Sequence, residues 1–161
     1  KKENEYKKFA DEIYIDIVNN SKKIMKDNYF NEVNFDSSFE ILSIILVFYL
    51  KILKDINQFK FKKINEEIIK NFTTDLDKTL RENGIGDMSI GKYVKKYIKK
   101  FYFRLTKIDL ILENNKHDEL SKYLSKIKYV DNSKLKKLSM HLFDFYENLK
   151  KNRDFMEWII N

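Results

Sequence analysis

Apolar positions recur along this chain at intervals of three and four residues almost from end to end, and no stretch alternates as a strand would. Tyr6, Phe9, Ala10, Ile13 and Ile17 form one stripe, which predicts a first helix over about residues 4 to 18. Asn19, Asn20 and Ser21 interrupt the pattern, and a shorter helical segment is expected around Lys22 to Phe30. Asn34, Asp36, Ser37 and Ser38 then supply the small polar side chains that cap a helix N-terminus. The helix they introduce, from about Ser38 to Ile56, is the most apolar of the chain, with Glu40, Ser43, Lys51 and Lys54 confined to one narrow wedge of its wheel. Such a helix must be surrounded: it is either the central core helix or one that lends an apolar face to a membrane or a client. Its uncharged run, Ile41 to Leu50, has ten residues, against the roughly 20 that cross a bilayer, so no transmembrane span is expected.

A third helix is predicted from about Phe61 to Asn83, with Ile64, Ile68, Phe72, Leu76 and Leu80 continuing its stripe, Asp75 beside that stripe and Asp77 pointing away. Gly84 ends it, because glycine accepts the left-handed conformation that closes a helix C-terminus. Asp87 or Ser89 can cap a fourth helix reaching about Glu113, with Ile90, Val94, Tyr97, Ile98, Phe101, Leu105 and Ile108 facing inward. Residues 61–113 thus form a helical hairpin. A break at Asn114 to Lys116 precedes a short helix from about His117 to Lys128. After a second break at Asp131 to Ser133, a last helix carries Leu135, Leu138, Leu142, Phe145 or Tyr146, and Leu149 onward to Trp158. The pattern gives an all-α, compact bundle of about six helices around a central apolar helix. With no internal repeat and no linker, residues 1–161 read as one domain.

Composition narrows the chemistry. The 161 residues include no Cys, which removes disulfides, thiolate metal sites, iron-sulfur clusters and cysteine nucleophiles, and is compatible with a reducing compartment. His117 and His141 stand 24 residues apart, outside any metal-ligand spacing, and read as surface or half-buried side chains. No signal-like segment is visible near Lys1. Lys plus Arg number 32 against 25 Asp plus Glu, a formal charge of +7. The chain is also rich in Ile and Asn, the combination that AT-rich coding imposes, so charge alone points only weakly to an acidic partner.

All three glycines, Gly84, Gly86 and Gly91, fall within eight residues. The segment Gly86 to Lys92 imitates the start of a phosphate-binding loop, but Tyr93 replaces the hydroxyl that would hold magnesium and a helix precedes it where a strand is required. The dinucleotide fingerprint fails as well, at Ser89. The glycines read instead as a tight connection: Gly84 as C-cap, Gly86 permitting the turn, Gly91 letting two helices approach closely. No catalytic constellation, metal site or cofactor fingerprint is readable, so an enzyme is not expected.

On the fourth helix Lys92, Lys95, Lys96, Lys99, Lys100 and Lys107 cover the face opposite the apolar stripe, and no acid occurs between Asp87 and Asp109. Phe103 points out through that field, as an aromatic does that stacks on bases or dips into a lipid interface. The face is either simply solvated or a binding surface. Arg104 lies nearer the stripe and needs a partner there, for which Asp75 on the facing helix is the candidate.

The string FTTDLDKTLRENGIGDMSIGK, residues 72–92, resembles the ubiquinol-cytochrome c chaperone family, whose pattern runs F-x-D-M-D-x-x-L-R-E-x-G-V-G-D-L-S-V-G-K, then basic positions, then F-Y-G-R; the chain has one residue more between Phe72 and Asp75 and keeps the pattern's register from Asp75 to Lys92. Asp75, Arg81, Gly84, Gly86, Asp87 and Gly91 fall on that pattern, and Phe101, Tyr102, Phe103 and Arg104 answer its last motif, with Phe103 in place of glycine. The helix beginning at Phe39 and Glu40 is similar to another family helix, with Ile45 where a histidine is typical. The two departures mark a divergent member, and no role of that histidine or glycine is carried over. The likeness is strong over residues 61–105, fainter over 9–56 and not legible beyond 113. It implies a non-enzymatic assembly factor, without cofactor, that binds newly made cytochrome b during assembly of ubiquinol-cytochrome c reductase. It further implies a cytoplasmic protein, peripheral at the inner face of the cytoplasmic membrane. An anionic membrane surface, the ribosome and a small helical partner protein are expected neighbours, and DNA is not. A different class, an RNA- or ribosome-associated module, would use the lysine face with Phe103.

Overall fold

The most apolar helix can sit at the centre because Glu40, Ser43 and Lys51 of its polar wedge are paired on another helix, while Lys54 faces solvent. In a computed structural model that describes residues 2–152 (backbone only for Lys2), six α-helices follow in order. They are α1 (Lys2–Met25), α2 (Phe35–Ile56), α3 (Gln58–Glu82), α4 (Ile90–Glu113), α5 (His117–Ser125) and α6 (Leu135–Lys151), the last preceded by a single 3-10 turn, Asn132–Lys134. Among the described residues the only extended pairing is an isolated antiparallel bridge between Phe30 and Val130. α2 is buried almost throughout from Phe39 to Leu53, with α1, α3, α4 and α6 packed against it. The all-α bundle with a central apolar helix and an α3–α4 hairpin is therefore the observed architecture.

Cross-helix contacts fix the directions. Asp11 meets Asn71 and Tyr14 meets Asp75, so α1 and α3 run the same way. Asp36 meets Tyr97, Glu40 and Ser43 meet Arg104, and Lys51 meets Asp109 and Glu113, so α2 and α4 also run parallel to each other. Phe39 links the layers, stacking on Phe72 of α3 and meeting Tyr97 of α4 edge-on at 4.9 Å between ring centroids, a geometry that favours ring quadrupoles as well as burying area.

Several boundaries differ from the sequence pattern, each for a local reason. α1 does not stop at residue 18: the Ser21 hydroxyl donates back to the Val18 carbonyl at 2.8 Å and the Asn20 amide donates to the Tyr49 hydroxyl at 2.8 Å, so these polar side chains are satisfied inside a continuing helix. The separate segment expected over 22–30 is the end of α1 followed by a loop. Asn34 caps α2 in a reciprocal box with Ser37, which starts the helix three residues earlier than expected. Asn57 ends α2 and caps α3, accepting from the Lys60 amide at 3.0 Å, so α3 begins at Gln58 rather than Phe61. Neither Asp87 nor Ser89 caps α4; Ser89 precedes it without a side-chain cap bond. α5 ends at Ser125 rather than Lys128, and the expected extension of the last helix to Trp158 lies outside the described residues.

Candidate functional site

The residues singled out from sequence separate into those that build the scaffold and those left open to a partner. Arg104 belongs to the first group, and its expected pairing with Asp75 is wrong. Its side chain, 3% exposed, donates to the Glu40 carboxylate, to Ser43 Oγ at 2.5 Å and to the Tyr123 hydroxyl at 2.9 Å. Glu40 is equally buried, and its other oxygen takes Lys100 Nζ at 2.6 Å. One buried charge cluster thereby ties α2, α4 and α5, and every donor has a partner, the condition under which buried charge is tolerated. Lys51 repeats the device at the other end of the interface, 2.7 Å from both Asp109 and Glu113. Burial works against its ammonium, but the hydrogen bonds to Asp109 and Glu113 outweigh that and leave it more basic than an ordinary lysine.

Asp75 instead accepts from the Tyr14 hydroxyl at 2.7 Å and from Thr79 Oγ1 at 3.4 Å, joining α3 to α1. Burial, and then the Asp75 carboxylate, drive the Tyr14 pKa well above that of a free phenol. At the α3–α4 bend Arg81 donates to Asp77 at 2.6 Å and also to Asp87, clamping the last turn of α3 to the loop beyond it. The bend itself is a Schellman closure: the amide of Ile85 reaches the Leu80 carbonyl at 3.1 Å, that of Gly84 reaches the Arg81 carbonyl at 3.0 Å, and Gly84 has φ +97°. Only Gly84 needs to be glycine. Gly86 and Gly91 keep ordinary φ values and a Cβ at either would meet nothing within 4 Å, so Gly86 is not required by the turn and Gly91 does not serve a close helix approach.

What stays open is the outer face of α4 and a groove beside α2. Lys92, Lys95, Lys96 and Lys99 are exposed, Phe103 is 63% exposed, and Lys107 Nζ lies 5.5 Å from the Phe103 ring centre. Lys100 does not belong with them, since Glu40 holds it. The groove, about 520 Å³, opens between α1, α2 and α3 and is walled chiefly by Val18, Met25, Phe35, Phe39, Leu42 and Leu76, with Lys22 and Lys26 also lining it. Here the apolar surface of α2 reaches solvent. The sequence marked neither this groove nor Lys51, Ser43, Tyr14 and Tyr123 as site residues; the wedge of Glu40, Ser43 and Lys51 on α2 was the one available signal that something charged faced it.

Among the described residues no group of three His, Asp or Glu side chains is placed to hold a metal ion, and no helix is long and apolar enough to cross a membrane. His117 stacks on Phe143 and His141 Nδ1 lies 2.7 Å from the Tyr29 hydroxyl, both positions of packing and local hydrogen bonding.

Comparisons place this architecture. The fold is that of the crystal structure of the Cbp3 homolog from Brucella abortus, with a TM-score of 0.76, 23% identity, and 99% of this chain and 89% of that one covered. No curated protein sequence matches the chain. The model of the ubiquinol-cytochrome C chaperone family matches residues 29–149, beginning after α1 and extending well beyond Glu113, through α5 and most of α6, which carry none of the motif residues. With three quarters of its length inside that match, the chain belongs to the ubiquinol-cytochrome c chaperone family.

Proposed function

We propose that this protein binds newly made cytochrome b, without catalysing a reaction, during biogenesis of ubiquinol-cytochrome c reductase, and that residues 1–161 act as one unit in doing so. Membership of the chaperone family supports a client in complex assembly, and the open groove beside α2 is the observation that carries the reading to a hydrophobic one. A folded bundle that already buries nearly all of α2 leaves Met25, Phe35 and Leu42 only half-covered around one cleft. An apolar client segment completes their burial and gains about 25 cal/mol for each Å² removed from water. Lys22 in the last turn of α1 and Lys26 just past it outnumber Asp75 among the charged residues lining the groove and favour a segment with acidic flanks. We place the protein at the inner face of the cytoplasmic membrane, where such a client is inserted.

The test is deletion of the gene followed by a difference spectrum of membrane haem b, with co-purification of cytochrome b on a tagged chain. Loss of the haem b signal, restored by the wild-type chain and not by the Met25→Gln/Leu42→Gln variant with an unchanged melting curve, is the expected result. Normal haem b and normal reductase activity in the deletion strain would refute the reading. Recovery of ribosomal RNA in place of cytochrome b would move the protein to the other class.

A further inference from the structure

The outer line of α4 follows heptad spacing: Lys92, Lys96, Lys99, Phe103, Thr106 and Leu110 lie one above another on the side away from the buried stripe. Each is exposed, with Phe103 at 63% and Leu110 at 58%, and Lys95 and Lys107 flank the line. α4 has 24 residues, and the line from Lys92 to Leu110 extends about 27 Å along it at the rise of a straight helix. Its charge is not compensated. Among the described residues Lys92, Lys95 and Lys99 make no salt bridge, and Lys96 and Lys107 contact only aromatic rings. The acids nearest the two ends are already engaged, Asp87 by Arg81 and Asp109 and Glu113 by Lys51.

We propose that this face is a docking surface for an anionic phospholipid bilayer, with α4 lying in the headgroup plane, Phe103 and Leu110 dipping into the acyl boundary and Lys92, Lys95, Lys96, Lys99 and Lys107 on the lipid phosphates. Charge complementarity selects an anionic surface, and the two apolar side chains select lipid over nucleic acid: a polyanion can stack on Phe103 but gives Leu110 nothing, whereas an interface rewards both. Lys107 lies over the Phe103 ring and Lys96 over the rings of Tyr93 and Tyr97, and long cationic side chains keep their stems on apolar surface of this kind while carrying their ammonium groups to an interface. No α4 residue lines the groove beside α2, so a chain held this way keeps the groove free. This placement rests on the assembly-factor reading for its purpose, but lipid binding is measured with no client present, so either can fail without the other.

The experiment is co-sedimentation of the 161-residue chain with vesicles of phosphatidylcholine alone or with one third phosphatidylglycerol. Binding is expected only to the anionic vesicles and is weakened by salt. The triple variant K92Q/K95Q/K99Q, whose side chains are all exposed and whose melting curve serves as control, is expected to lower the partition coefficient about a hundredfold. Because the chain has no cysteine, Phe103→Cys and Leu110→Cys each carry a single environment-sensitive fluorophore. Its emission shifts to the blue on anionic vesicles, while the same label at Lys8→Cys on α1 does not move. Absence of binding to the anionic vesicles, binding unaffected by the triple variant, or binding with no shift at 103 and 110 each overturns the proposal. Displacement of the vesicles' hold by total RNA at lower concentration than free phosphatidylglycerol vesicles would also overturn it, assigning the face to nucleic acid.

Discussion

Replacing Arg104 by methionine removes a guanidinium from a site where both it and Glu40 are 3% exposed. Breaking a buried ion pair by deleting one partner costs about 3–5 kcal/mol, because the surviving charge stays buried. In this cluster Lys100 remains on the other oxygen of Glu40 at 2.6 Å, which partly compensates the orphaned carboxylate, while Ser43 and Tyr123 each lose a charge-assisted donor. The expected loss is therefore near the lower bound, about 3 kcal/mol. For a chain of this size that lowers Tm by about 6–12 °C. Urea unfolding followed by far-UV circular dichroism reads it directly. The double variant R104M/E40M should recover much of the loss, since an apolar pair of similar volume is often no less stable than the ion pair it replaces. A cycle with Asp75→Asn should show additivity, because Asp75 bonds to Tyr14 and Thr79 and shares no partner with Arg104. A loss below about 1 kcal/mol for R104M, or coupling between positions 104 and 75 as large as that between 104 and 40, would refute the account of this cluster.

Two further outcomes follow from the geometry. Gly84→Ala forces a side chain into φ +97° and should cost about 1–2 kcal/mol, whereas Gly91→Ala, in the first turn of α4 with open space around it, should be neutral or stabilising by about 0.5 kcal/mol; thermal melts of the two variants give the comparison. Burial raises the pKa of Tyr14 and Tyr97 far above the free value of 10.0, and lifts Tyr49 and Tyr146 to about 12. Above pH 10.0 these phenols ionise in the unfolded chain but stay protonated in the folded one, so stability is fully present below that pH and falls above it, by about 1.4 kcal/mol per pH unit for each tyrosine. The slope of stability against pH in the alkaline range should fall by one proton in Tyr14→Phe, which is measured by urea titrations at a series of pH values.

Chain pattern alone determined the helical class, the existence of the main helices, the hairpin with its Gly84 closure, and the string at residues 72–92 that carries the family likeness. Each of these is local: a stripe of period 3.6, a C-cap or a run of motif residues is written within a few turns of chain. The polar interruption at Asn19 to Ser21 misled because its cure is not local, since Asn20 is satisfied by Tyr49 from another helix. The same holds for the charges. Asp75 and Glu40 are both acids beside an apolar stripe, and nothing in the sequence ranks them as partners for Arg104. That choice was made by the parallel course of α2 and α4, which brings residues about 60 positions apart into register. Tertiary structure likewise decided that Lys100 is spent on the scaffold while Lys99 is not, and that α2, buried almost throughout from Phe39 to Leu53, shows Phe35 and Leu42 to solvent in the groove between α1 and α3. A helix's sequence states how much apolar surface it has to cover; only the packing of its neighbours states where the covering stops.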